Sequence, residues 1–170
     1  MKYFSMFSGI GGFELGIQRA INNKDSMVSL NKKVDILENM PNINIERKRR
    51  PKASCIGFSE IDRDEKGHKV CAKEIYKKHF GGHKDYGDAT GIIWEEVEDF
   101  DLFVGGFPCQ SFSIAGKRGG FKDTRGTLFF EIARALSIKR PKLLLLENVK
   151  GLLSHDNGRT FGTILATLSE

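Results

Sequence analysis

Four times along this chain a short apolar run stops at a glycine or an acid, and a stretch with helical spacing follows. Tyr3 to Phe7 runs into "SGIGG", after which Phe13, Ile17, Ala20 and Ile21 mark one helix face. Ser54 to Phe58 runs into "SEID", and Val70, Ile75 and Phe80 are the apolar positions of a helix over Val70 to Phe80. Asp101 to Gly105 runs into "GFPC", and Leu128, Phe129, Ile132, Ala133 and Leu136 form the next stripe. Pro141 then breaks the chain before "KLLLLEN", and Phe161, Ile164, Leu165 and Leu168 repeat at i, i+3, i+4 and i+7. Apolar runs alternating with amphipathic helical stretches predict an α/β sheet. "DYGDATG" reads as one more short strand end or turn.

Ligands of open α/β sheets bind beyond the carboxyl ends of the strands, so the residues just after each run matter most. In "FSGIGGFELG" the glycines allow a sharp turn and bring backbone N–H groups close to a ligand. Gly9 and Gly11 match the first two glycines of the dinucleotide fingerprint, but Glu14 stands at the third. That argues against a nicotinamide or flavin enzyme and leaves a small cofactor with an adenosine part. Glu60 follows the second run, where a carboxylate accepts from ribose hydroxyls. Asp88 follows the short third one, where it could accept from an adenine amino group.

The fourth run leads to Cys109, a lone thiol between Pro108 and Gln110. A cysteine by itself is most often a small buried hydrophobe. Here Gly105 and Gly106 are expected to open space for a ligand, and the following "SFSIAGKRGGFKDTRG" is rich in Gly, Lys and Arg. Positive potential favours the thiolate, the reactive form. Glu147 ends the neighbouring run "LLLLEN", so it could face the cysteine across a pocket. A nucleophile and an acid at a cofactor-binding sheet end form a catalytic arrangement.

The chain has 170 residues, enough for one domain or part of one. Its 27 Lys and Arg against 22 Asp and Glu give a formal charge of +5, which suits a polyanionic partner. Cys55, Cys71 and Cys109 are far apart and show neither zinc spacing nor a disulfide framework, which points to a reducing, intracellular setting. No signal peptide and no apolar run near the ~20 residues of a bilayer span are present, so a cytoplasmic location with no membrane partner is expected. Asn22 to Lys52, rich in Asn, Lys and Asp and ending "ERKRRPK", is far longer than the usual connection of about 2–6 residues. It reads as a polar insertion over about 22–52, either a solvated loop or a basic arm against phosphate.

Taken together, these segments resemble the DNA cytosine-C5 methyltransferase family. "FSGIGGFELG" is similar to its first motif, "GGFPCQSFSIAGKRGGFKDTRGTLFFEI" to its catalytic block, and "ENVKGLLSHDNGRT" to its Glu-Asn-Val motif. The match spans most of the chain except Asn22–Lys52. It implies a Rossmann-like S-adenosylmethionine-dependent methyltransferase fold, incomplete, with the first five strands of the sheet. It implies Cys109 as the nucleophile that adds to cytosine C6 and Glu147 as the partner of ring N3. Phe7, Gly9, Ile10, Gly11, Gly12, Glu60, Ile61 and Asp88 would hold S-adenosyl-L-methionine, with Phe7 offering a ring face to adenine. Gln110, Ser111, Lys117, Arg118, Lys122 and Arg125 would meet double-stranded DNA, the loop Ser111 to Arg125 closing over a flipped-out base.

The sequence also departs from that family. Family members continue with further strands, an arginine motif, a target-recognition region and a last motif that completes the cofactor site, none of which follows Glu170. "RDEKGHKVC" lengthens the segment after Glu60. Residues 1–170 are therefore expected to be the N-terminal part of a methyltransferase catalytic domain, lacking target recognition. Three readings stay open: part of a larger enzyme, one half of a split enzyme with a complementing C-terminal chain, or an inactive nucleic-acid-binding remnant. An RNA cytosine-C5 methyltransferase that shares the catalytic block is the nearest rival. The leucines at 143–146 read as a strand buried on both faces, whose open side would be bare or covered by the last helix alone.

Overall fold

The computed structural model describes residues 1–22, 53–61, 63, 66–69, 71–107 and 128–169. Its strands are β1 (Lys2–Met6), β2 (Ser54–Ser59), β3 (Leu102–Gly106) and β4 (Leu143–Glu147). Its helices are α1 (Gly12–Asn22), α2 (Ala72–Phe80), α3 (Leu128–Lys139) and α4 (Arg159–Ser169). All pairings are parallel, in the order β2-β1-β3-β4. The chain thus steps outward from β1 to β2 and then crosses back to β3 on the far side of β1. Such a reversal opens a crevice at the strand ends.

Side chains alternate across β1. Phe4 and Met6 belong to an aromatic-rich core with Trp94, Phe100, Phe103, Phe107 and Phe129, all buried. Phe4 lies 4.9 Å from the Trp94 ring, edge-on, and 6.2 Å from Phe103. Tyr3 faces the other way, into a smaller cluster with Leu102 and Val104, against which Phe13 and Ile17 of α1 pack. The apolar stripe expected of α1 is therefore the face that covers β1 and β3.

The third short strand is not realised as one. Phe58 N–H donates to Lys84 O and Tyr86 N–H to Phe58 O, both at 2.9 Å, which makes a single parallel bridge between Phe58 and Asp85. The chain then turns at Gly87, whose N–H donates to the Asp85 carboxylate at 2.9 Å, and enters a 3-10 turn at Ala89–Gly91. Asp85 is also paired with Lys73 at 3.0 Å and Lys77 at 2.7 Å. The described sheet has four strands where the sequence suggests five, because side-chain bonds and a turn compete with the ladder there.

The leucine strand is exposed. Leu143 is 56% and Leu145 51% accessible, since β4 pairs only with β3 among the described residues. Helix α4 buries Ile164 but leaves Leu165 half exposed. Among the described residues no strand pairs with the outer side of β4, which is the bare edge that the leucine run suggested as one of two outcomes. No helix among the described residues is long and apolar enough to cross a membrane.

Candidate active site

Three loops gather at the carboxyl end of the sheet. After β1 the backbone enters left-handed geometry at Phe7, Gly9 and Gly11. Gly11 N–H closes the turn on Ser8 O at 2.9 Å, and α1 starts at once. Glu60, after β2, accepts from Gly9 N–H at 2.6 Å through Oε2 and from Ile61 N–H at 3.0 Å through Oε1. Ser8 N–H donates to Ser59 O at 3.3 Å. The turn and the acid are therefore bonded to each other, an arrangement that sequence spacing alone leaves open. Among the described residues no side chain stands within 4 Å of where a Cβ would lie at Gly9 or Gly12, and Ile10 and Ile61 are exposed.

Asp88 sits on the next loop, exposed, and caps the 3-10 turn by accepting from Thr90 N–H and Oγ1, both at 2.9 Å and both through Oδ1. Arg134 of α3 steadies the same turn by donating to Ala89 O at 3.1 Å and Ile92 O at 2.8 Å, while Glu131 holds its guanidinium.

Across the switch point, Gly106 of β3 pairs in register with Glu147 of β4. A Cβ at Gly106 would meet Glu147 Oε2 at 3.0 Å, and one at Gly105 would meet the Met6 carbonyl at the same distance. These glycines were expected to clear space for a ligand. Instead, Gly105 admits the neighbouring β1 backbone and Gly106 admits the Glu147 carboxylate. Asn148, next to Glu147, donates from Nδ2 to Phe107 O at 2.9 Å, and its Oδ1 accepts from Val149 N–H. The Phe107 ring packs 5.6 Å from Phe129 at the start of α3. Phe107 is two residues before Cys109, so Asn148 and Phe129 hold the last described residue ahead of Cys109. Asn148 escapes the sequence reading as a site residue, although it stands within the quoted Glu-Asn-Val motif.

Cys109, Gln110, Ser111, Lys117, Arg118, Lys122 and Arg125 lie outside the described residues, as does the insertion over 23–52. Of the other cysteines, Cys55 is half-buried, and burial pushes its thiol up to about 11, so it stays protonated at neutral pH. That makes it a packing residue rather than a nucleophile.

A parallel sheet in the order β2-β1-β3-β4, with a glycine turn after the first strand and acids at the following strand ends, is an open α/β fold of the kind that takes ligands beyond the carboxyl ends of its strands. The profile of the C-5 cytosine-specific DNA methylase family matches residues 1–170, and the chain belongs to that family. It is 48% identical over 169 residues to the Type II methyltransferase M1.ScrFI of Lactococcus lactis subsp. cremoris. It is 40% identical to M.HpaII of Haemophilus parainfluenzae and 34% identical to M.HhaI of Haemophilus parahaemolyticus. These matches take in 99%, 99% and 100% of this chain but 34%, 37% and 40% of those proteins. The chain therefore spans little more than a third of the length of these curated relatives. Among solved structures it shares its fold with a protein described as a DNA modification methyltransferase encoded within an E. coli prophage. The TM-score is 0.62 at 20% identity, over 99% of this chain and 38% of that one.

Proposed function

We propose that this chain forms the cofactor-binding and nucleophile-bearing part of a DNA (cytosine-5-)-methyltransferase. The observation that carries the reading is the Gly106–Glu147 pair: an acid at the end of β4, seated over a glycine of β3, three residues before Cys109. The glycine turn and Glu60 lie at the same end of the sheet, on β1 and β2.

In this reading Cys109 attacks cytosine C6 as the thiolate. The C5–C6 double bond gives up its π pair, and Glu147 donates a hydrogen bond or proton at N3 as charge builds there. When bound, S-adenosyl-L-methionine would supply the methyl group that C5 takes, with S-adenosylhomocysteine as the leaving group. The C5 proton then leaves to a base, the C6–S bond breaks to release the Cys109 thiolate, and N3 returns its proton or hydrogen bond to Glu147 as the ring is restored. A sulfur cannot reach C6 inside a duplex, so the target base is flipped out. Lys117, Arg118, Lys122 and Arg125 supply charge for phosphate, and Gln110 and Ser111 join them as DNA-binding residues.

The residues of the turn suit the cofactor. Backbone N–H groups after Gly9 lie at the start of α1, where an anionic carboxylate is favoured. Glu60 and Asp88 each keep lone pairs for hydroxyl or amino donors, and Phe7, Ile10 and Ile61 supply apolar surface. Gly11 and Gly12 bring the backbone close.

A complementing C-terminal part would add strands beside β4 and the surface that reads base edges. The exposed Leu143 and Leu145 support that, as does a cavity of about 350 Å³ lined by Phe107, Leu146, Asn148, Phe161 and Ile164. The relatives are named Type II methyltransferases, which suits a restriction-modification setting, and a cytoplasmic location is part of the same proposal. The test is covalent trapping on duplex DNA containing 5-fluorocytosine, with S-adenosylmethionine and a complementing C-terminal part supplied. An adduct mapped to Cys109 and absent in Cys109→Ala is expected. Methylation without an adduct at Cys109 overturns the mechanism, and methylation of transfer RNA in preference to duplex DNA overturns the substrate.

A further inference from the structure

A chain of buried polar groups runs beneath the glycine turn and has no place in the chemistry above. Glu14, in the first turn of α1, is fully buried. Its Oε1 accepts from the Tyr76 hydroxyl of α2 at 2.9 Å, across 62 residues of sequence. Its Oε2 has no partner among the described residues. The Tyr76 oxygen also lies 2.9 Å from His83 Nδ1. The single phenolic hydrogen is committed to the carboxylate, so His83 donates to Tyr76 from Nδ1. Cys55 is a distant fourth member: its thiol donates to Gly57 O at 3.3 Å and lies 4.0 Å from Tyr76.

The same tyrosine ring touches both loops that meet at the candidate cofactor site. It stacks on Phe58 of β2 with centroids 3.9 Å apart, directly before Ser59 and Glu60. A Cβ at Gly11 would stand 3.3 Å from Tyr76 Cδ2 and would overlap the Phe80 ring. Gly11 has φ +91, so both its conformation and its neighbours exclude a side chain.

We infer that Tyr76 is a positioning residue: anchored by Glu14, it sets the spacing between the glycine turn after β1 and the acidic end of β2. Its relevance to S-adenosylmethionine rests on the proposed function. The geometry explains why a carboxylate stands where the dinucleotide fingerprint has its third glycine. That glycine permits close helix–strand packing, whereas here the helix start is tied to α2 by a buried hydrogen bond. Burial holds Tyr76 protonated, which keeps it a donor throughout the physiological range.

The readouts are the amides that bridge or close the turn: Ser8 N–H on Ser59, Gly9 N–H on Glu60 and Gly11 N–H on Ser8. Hydrogen exchange is followed on the 170-residue chain without ligand. Tyr76→Phe keeps the ring and removes the hydroxyl. It is expected to speed exchange at these three amides about tenfold, while Phe4 and Val104 keep wild-type rates. Glu14→Leu removes the acceptor from the other end and should reproduce the effect. Glu14→Gln keeps an acceptor and should stay close to wild type. Unchanged rates in Tyr76→Phe, or equal acceleration of the strand amides, overturn the inference. In parallel, S-adenosylhomocysteine binding is titrated, with affinity expected to fall about tenfold in Tyr76→Phe. Absence of binding by the wild-type chain would count against the cofactor reading alone, since the exchange rates judge Tyr76 independently.

Discussion

Strands β1 and β4 invert the usual relation between hydrophobicity and burial. β1, "KYFSM", carries a lysine and a serine, yet every residue after Lys2 is buried. β4, "LLLLE", is apolar up to its last residue, yet four of its five positions are exposed. The difference is one of neighbours. β1 is hydrogen-bonded on both sides, to β2 and β3, and covered on both faces. β4 is bonded on one side only among the described residues. A leucine run with no strand on its outer side among the described residues presents an open edge that invites contact. Glu147 ends the exposed strand and is held over Gly106 of β3, the strand that lies between β4 and β1.

That contrast can be broken by substitution. The largest effect is expected at Phe4, whose ring is fully buried against Trp94, Phe100 and Phe103. Phe4→Ala should cost about 3–5 kcal/mol in urea unfolding. A loss below about 1 kcal/mol would mean that the aromatic core is not what stabilises β1.

The junction itself comes next. In Gly106→Ala the new methyl crowds Glu147 Oε2, which is on an exposed and adjustable side chain. Stability should change by less than about 1 kcal/mol. Methyl transfer, measured with a complementing C-terminal part, should fall about tenfold or more because the carboxylate moves. Full activity in this variant would separate Glu147 from the reaction.

A smaller effect should appear in the pH dependence of stability. Burial lowers the pKa of His83, opposed in part by the nearby Glu14 charge. The folded state therefore favours the neutral imidazole more than the unfolded state does. Its contribution is complete above the unfolded value of about 6.5 and is lost as pH falls through the depressed folded value. Melting temperature should be flat from neutral upward and decline on the acid side. His83→Asn should remove part of that decline in the window just below 6.5. An identical profile for both proteins would show that His83 is not buried as described.

The smallest change in stability is expected at the bare edge. Leu145 is half exposed, so Leu145→Lys should alter unfolding free energy by no more than about 0.5 kcal/mol. Self-association in sedimentation should fall, since a charge on an open strand blocks edge pairing. A large destabilisation would mean that the outer side of β4 is covered after all.

The candidate site was partly legible in the residues. Phe7 to Gly12, Glu60 and Glu147 are found at strand ends, as their positions after apolar runs suggested. Glycine after a strand and an acid after a strand are local signals, because turn geometry and strand termination depend on neighbours in sequence. Asp88 caps a 3-10 turn three residues after an isolated bridge at Asp85, rather than following a full strand, since Asp85 and Gly87 favour the turn. The expected role of Gly105 and Gly106 missed what they contact. That depended on which strands lie beside β3, which no local pattern states.

Periodicity and punctuation along the chain were enough to settle that it folds as strands and helices in alternation, and where each loop would carry glycine or carboxylate. These are short-range matters of dihedral preference and of which side chains recur on one face. Tertiary structure alone decided the order β2-β1-β3-β4, and with it the seat of Glu147 over Gly106, the burial of Glu14 under Tyr76 and the exposure of the leucines. Each of these depends on contacts between segments far apart in sequence. Burial is a property of what lies alongside a residue and not of the residue itself.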